Sequence, residues 1–126
     1  LIFAEVDHLA VICHDEKQAL DFYVNKLGFT IKDRHVRLEK EDILFHLVGA
    51  GLTLELFIKP TAPTRVSDPE AAGLRHLAFK VKDVDQVVSK LAQYGIECEP
   101  VRQDKFTDEK MTFFFDPDHL PLEIHE

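Results

Sequence analysis

The sequence predicts an α+β fold of two tandem βαβββ modules. Three observations carry that expectation. A short His-bearing strand occurs twice, an amphipathic helix follows each copy, and three strand-like runs follow each helix. The first copy reads Asp7-His8-Leu9-Ala10-Val11 and the second Arg75-His76-Leu77-Ala78-Phe79. Internal repetition of this kind decides the architecture before any local propensity is weighed.

The first helix begins after Asp15, a good N-cap, and places Leu20, Tyr23, Val24 and Leu27 on one face before Gly28. The second begins after Asp83, with Val84, Val87, Val88 and Leu91 on one face before Gly95. Both show helical spacing closed by a residue that tolerates the left-handed conformation. Strands are expected at 29–37, 43–48 and 52–58, with Gly49-Ala50-Gly51 as a tight turn. In the second half they are expected at 96–102, 111–115 and 122–125, with Asp116-Pro117-Asp118 as a turn. Residues 59–74, carrying Pro60, Pro63 and Pro69, read as a linker between modules 1–58 and 75–126 of one 126-residue domain.

Composition bounds the function. The chain has 45% hydrophobic and 30% charged residues, the balance of an ordinary folded domain large enough for a real core. Its net charge is −8 and no Lys/Arg cluster stands out, which argues against nucleic acid as a partner. No apolar run approaches the ~18 residues of a membrane span. Cys13 and Cys98 form neither a redox nor a metal pair, and no signal-peptide pattern is visible, so a cytoplasmic protein is expected.

The repeat also has a register. His8 to Glu55 spans 47 positions, and so does His76 to Glu123. Strand alternation puts Leu9, Val11 and Cys13 toward the helix and His8, Ala10 and Ile12 on the other face. The same argument places His76, Ala78 and Lys80 on the helix-free face of the second module. Glu55 lies within Leu-Thr-Leu-Glu-Leu-Phe and Glu123 between Leu122 and Ile124. Carboxylates in such apolar settings are rare unless paired or bound to a cation. A single His or Glu on a strand is more often solvent-facing. Matched offsets in both halves favour a shared task instead. His8, Glu55, His76 and Glu123 together suit a divalent transition ion with one or two positions left open, the arrangement of a catalytic rather than a structural site.

With these residues in place the sequence resembles the vicinal oxygen chelate superfamily and, within it, glyoxalase I. Ala19-Leu20-Asp21-Phe22-Tyr23 through Leu27-Gly28-Phe29 is similar to its first helix and exit. Gly73-Leu74-Arg75-His76-Leu77-Ala78-Phe79 is similar to its mid-chain His strand. Phe115-Asp116-Pro117-Asp118-His119-Leu120-Pro121-Leu122-Glu123 resembles its closing signature, with His119 where Gly is usual. The resemblance covers essentially the whole chain. It implies curved half-barrels, a divalent metal (Ni, Zn, Co, Mn or Fe) held by His8, Glu55, His76 and Glu123, and a homodimer whose sites are shared between chains. It also implies lyase or isomerase chemistry, a proton transfer through a metal-stabilised enediolate on a small oxygen-chelating substrate. Glu123 or Glu55 is then the base, with Glu123 favoured.

Departures from glyoxalase I bear on the substrate. The positions that hold glutathione there by Arg and Asn are Ile12 and Lys59 here, and the Gly-rich segment becomes 104–110. The metal centre is thus kept while the glutathione contacts are not. Lys80, Phe57 and Arg34 are candidate substrate residues, with Lys59 and Arg75 weaker ones; Phe45, Phe113 and Phe115 are candidate pocket walls. Dioxygenases, fosfomycin-modifying transferases and methylmalonyl-CoA epimerase of the superfamily do not use a Glu at the position of Glu55. A metal-free binding module of the bleomycin-resistance type has no use for the complete ligand set.

Overall fold

Asp15 and Asp83 each start a helix, their side chains accepting from the backbone N–H of Gln18 and Gln86 three residues on. A cap of this kind satisfies one of the otherwise orphaned donors of the first turn. The computed structural model describes residues 1–126, and the chain divides into two compact units, Leu1–Pro63 and Thr64–Glu126.

The first unit runs β1 (Leu9–Cys13), α1 (Glu16–Leu20), β2 (Thr30–Arg37), β3 (Asp42–Gly49) and β4 (Leu52–Ile58). The second runs β5 (Leu77–Lys80), α2 (Val84–Gln93), β6 (Arg102–Gln103), β7 (Lys110–Phe115) and β8 (Pro121–His125). Each unit holds one four-stranded sheet, ordered β1-β4-β3-β2 and β5-β8-β7-β6. In both, the first strand pairs parallel with the last, and the others pair antiparallel. Leu9 sits opposite Leu54 and Leu77 opposite Leu122, so the repeat read in the sequence is a repeat of sheet register. The two βαβββ modules are those expected.

Burial separates the faces of each sheet. Leu54, Leu56 and Ile58 of β4 are buried with Phe45 and Leu47 of β3, and Ala19, Phe22 and Tyr23 supply the helix side of that core. In the second unit Leu122, Ile124 and Phe114 are buried with Val84 and Leu91 of α2. Each buried Leu, Ile, Val or Phe side chain among them contributes roughly 1.5–3 kcal/mol by leaving water. The other face of each sheet carries Glu55 and Glu123.

The register of β3 against β4 is set by a two-residue turn. Ala50 and Gly51 both have positive φ, 51° and 70°, the conformation that matches the twist of a hairpin. Asp42 at the start of β3 is a buried carboxylate, held by Arg37 Nε at 2.6 Å and Lys59 Nζ at 2.5 Å. These contacts hold its carboxyl well below the usual range, the Arg37 hydrogen bond being the largest cause and the Lys59 hydrogen bond the next.

Two elements differ from expectation. The first helix is α-helical only to Leu20; Asp21–Lys26 continues as a π-helical segment, with Leu27 N–H donating to Phe22 O at 2.9 Å and Phe29 N–H to Tyr23 O at 3.0 Å. The strand expected at 96–102 is reduced to Arg102–Gln103. Pro100 has no N–H for a ladder. The segment is tied to β7 instead by Glu99 N–H donating to Phe113 O at 2.9 Å and by the Thr112 hydroxyl donating to Glu99 O at 2.8 Å. The Asp116-Pro117-Asp118 turn forms as expected. Asp116 accepts from the N–H groups of Asp118 and Leu120, and His119 takes a positive φ of 66° where a glycine would be unstrained.

Candidate functional site

Each unit sets a His just before its first strand beside a Glu in the middle of its last. Ala10 is the register partner of Glu55 and Ala78 that of Glu123, and these small side chains leave room over the carboxylates. His8 Nε2 lies 3.4 Å from Glu55 Oε1, and His76 Nε2 lies 3.2 Å from Glu123 Oε1. Asp7 Oδ2 accepts from His8 Nδ1 at 2.7 Å, which fixes the ring with Nε2 toward Glu55. That hydrogen bond, followed by the charge of Glu55, raises the His8 pKa above the ordinary imidazole value.

Around Glu55 the open face of the first sheet carries a row of polar contacts. His46, directly across from Glu55 in the β3–β4 pair, donates from Nε2 to Glu55 Oε2 at 3.0 Å. Its Nδ1 donates to Asp33 Oδ1 at 2.5 Å, and His35 Nε2 stands 3.2 Å from the same oxygen. The pKa of His46 is accordingly raised, chiefly by Asp33, and that of Asp33 is lowered, chiefly by His46. Asp33, His35 and His46 offer ligand atoms within 4.8 Å of one another.

The second unit is built differently around its Glu. Phe113 is the cross-strand neighbour of Glu123 and meets the His76 ring edge-on at 5.1 Å. The Arg102 guanidinium lies 5.3 Å from the Phe113 ring centroid. A cavity of about 300 Å³ opens here, lined by Glu70, Arg75, His76, Glu99, Arg102, Phe113, Phe115 and Pro121. Arg75 is paired with Glu70 at 2.6 Å and Arg102 with Glu99 at 3.0 Å, so both cations at the rim have a carboxylate partner.

The sequence-derived substrate residues are dispersed. Phe57 shares the face of Glu55, with Arg37 and Lys59 at 5.0 and 5.9 Å from its ring centroid. Lys80 is exposed, opposite His125 on β5. Arg34 lies on the helix side of β2, across from buried Phe45, and pairs with Glu16 at 2.8 Å, so it faces away from Glu55. Phe45 is 2% exposed and is core rather than pocket wall, whereas Phe113 and Phe115 line the cavity. Ile12 is half exposed, and Lys59 is engaged by Asp42.

A glyoxalase/bleomycin resistance protein/dioxygenase superfamily model matches residues 5–124. The chain belongs to this superfamily. It is 44% identical to the uncharacterised protein YwkD of Bacillus subtilis (strain 168), an alignment covering 100% of this chain and 99% of that one. The structure of a glyoxalase family protein from Enterococcus faecalis superposes with a TM-score of 0.96 at 49% identity, covering 100% of both chains. The fosfomycin resistance protein FosX from Listeria monocytogenes, in complex with Mn(II) and sulfate, shares the fold at 16% identity. Its TM-score is 0.74, covering 98% of this chain and 93% of that one. This superfamily includes metalloenzymes, glyoxalases and FosX among them.

The residues present fit a divalent cation. Two donors each ~2.1 Å from one ion stand about 3.0–3.4 Å apart, the range of both His–Glu separations here. Glu123 is 8% exposed and stands 3.2 Å from His76 Nε2 through Oε1. A carboxylate so buried calls for a stronger counter-charge.

His46, Asp33 and Arg102 were not singled out in the sequence. His46 could have been found: pairing outward from the Ala50-Gly51 turn puts it opposite Glu55. Asp33 could not, because a register shift between Ile31 and Asp33 interrupts β2.

Proposed function

We propose that this protein is a metal-dependent lyase or isomerase of the glyoxalase type, in which His8, Glu55, His76 and Glu123 hold one divalent ion. The observation that carries the reading is the duplicated pair, a His Nε2 facing a Glu oxygen at 3.2–3.4 Å at the same register in both sheets. The resemblance to glyoxalase I implies a homodimer in which His8 and Glu55 of one chain meet His76 and Glu123 of a second copy. No helix is long and apolar enough to cross a membrane, and the substrate is a small molecule with neighbouring oxygens.

When bound, the ion supplies stabilisation of negative charge developing on those oxygens. Glu123 takes a proton from carbon and returns it to the adjacent carbon, so that no redox partner is needed. Asp7 keeps His8 Nε2 directed at the centre, and Phe113 sets the plane of His76. The cavity beside His76 admits the rest of the substrate over the Phe113 ring. Ile12 and Lys59 supply no glutathione clamp, so a different thiol or a different oxygen-chelating substrate is proposed.

The test is isomerisation of methylglyoxal with a panel of thiols in deuterated water, comparing the parent with Glu123→Gln. The parent is expected to exchange the substrate proton and the variant to lose ~10²–10⁴-fold in rate. Equal rates in the two proteins would refute the assignment of Glu123 as the base.

A further inference from the structure

The two glutamates occupy the same register but have different neighbours. In each sheet the residue directly across from the Glu lies on the same face with its Cβ about 5 Å away. In the first unit that residue is His46; in the second it is Phe113. Glu55 is therefore contacted through both oxygens, Oε1 by His8 at 3.4 Å and Oε2 by His46 at 3.0 Å. Glu123 is paired through Oε1 with His76 at 3.2 Å, and its cross-strand neighbour offers an aromatic ring with no hydrogen to donate. His46 is itself anchored, because its other nitrogen donates to Asp33 one strand further out.

We propose that His46, held by Asp33, is a positioning residue that pins Glu55 as the static carboxylate of the metal centre and leaves Glu123 as the carboxylate free to move. The inference rests on the metal reading above and deepens it. A ligand tethered by a second residue keeps its orientation between turnovers, and partners of this kind are typically worth ~10–100-fold in metal affinity. A ligand beside an aromatic wall has no such tether and can leave the ion to carry a proton. The pseudo-symmetric pair is thereby divided into two roles by one cross-strand position, His in one unit and Phe in the other.

The test is calorimetric titration of Ni²⁺ alone into the metal-free full chain, for the parent and for His46→Phe, His46→Gln and Asp33→Asn. Gln can place an amide nitrogen where His46 Nε2 now meets Glu55 Oε2 at 3.0 Å, so it separates loss of the hydrogen bond from loss of the ring. The parent is expected to bind, His46→Phe to bind ~10–100-fold more weakly, His46→Gln to recover most of that loss, and Asp33→Asn to fall between. The visible spectrum of the Co²⁺-loaded protein is expected to change in His46→Phe and to return toward the parent in His46→Gln. Should His46→Phe fail to fold, judged by circular dichroism, the weakening in Asp33→Asn decides in its place. Parent-like affinity in both His46→Phe and Asp33→Asn overturns the inference while leaving the metal centre standing. Complete loss of binding in His46→Phe and His46→Gln alike makes His46 a ligand, which also overturns it. A parent that takes up no Ni²⁺ refutes the metal reading itself.

Discussion

Thr112 ties the irregular wall of the cavity to the sheet, and replacing it with Val removes that tie alone. The side chain is fully buried on β7, and its hydroxyl donates to Glu99 O at 2.8 Å, with Pro100 O at 3.3 Å. Thr112→Val keeps the shape and leaves a carbonyl without its donor, costing about 1–3 kcal/mol. The extra apolar carbon offsets about 0.8 kcal/mol, for a net loss of about 0.2–2.2 kcal/mol. At ~2.1 cal/mol/K per residue, unfolding the 126-residue chain loses about 4 °C of Tm per kcal/mol. The expected drop is therefore about 1–9 °C, read by calorimetry or as a lower urea midpoint. Hydrogen exchange at the Glu99 amide, which donates to Phe113 O, is expected to speed up with it. Thr112→Ser, which restores the hydroxyl, is the control for that amide. A Val variant as stable as the parent, with unchanged exchange at Glu99, would refute the reasoning.

Other expectations follow from single residues. Asp42→Asn should lower the urea midpoint near neutral pH, since Arg37 and Lys59 lose their carboxylate. Because folding depresses the Asp42 pKa, its contribution is present above the unfolded value of ~3.9 and lost as pH falls through the folded one. The gap between parent and variant should accordingly begin to narrow below about pH 4 and close only as the pH falls through the depressed folded value. His119→Gly should gain up to about 1 kcal/mol by relieving a side chain at φ 66°; a destabilised variant would mean the ring makes a contact worth more than the strain. Metal uptake requires neutral imidazoles, and Asp7 raises the His8 pKa. Ni²⁺ binding should therefore release protons and weaken as pH falls toward about 6. Asp7→Asn should move the midpoint of that pH dependence downward, and an unmoved midpoint would contradict it.

Much of this architecture was legible because repetition and alternation are written directly into the chain. The 47-residue His–Glu interval survives both modules because it is an interval between paired strands, as the Leu9–Leu54 and Leu77–Leu122 registers show. Asp15 and Asp83 announced their helices through side chains that cap them. What escaped depends on departures from regular pairing. The π-helical turn at Asp21–Lys26 leaves the apolar spacing of an ordinary helix nearly intact, so the pattern does not register it. Pro100 cost the second unit most of a strand that hydropathy alone suggested. Arg34 ends on the helix side, away from Glu55, because the bulge after Ile31 resets the alternation of β2. Asp33 came to His46 through the same bulge.

The central claim is that both His–Glu pairs serve one ion, and metal stoichiometry tests it most directly. The full chain would be stripped, dialysed against Ni²⁺, Co²⁺, Zn²⁺, Mn²⁺ or Fe²⁺, and analysed for retained metal beside His8→Ala and His76→Ala. The account predicts about one ion per chain in the parent and loss of tight retention in either variant, although His8 and His76 lie in different units. No retained metal in the parent, or full retention in both variants, would contradict it.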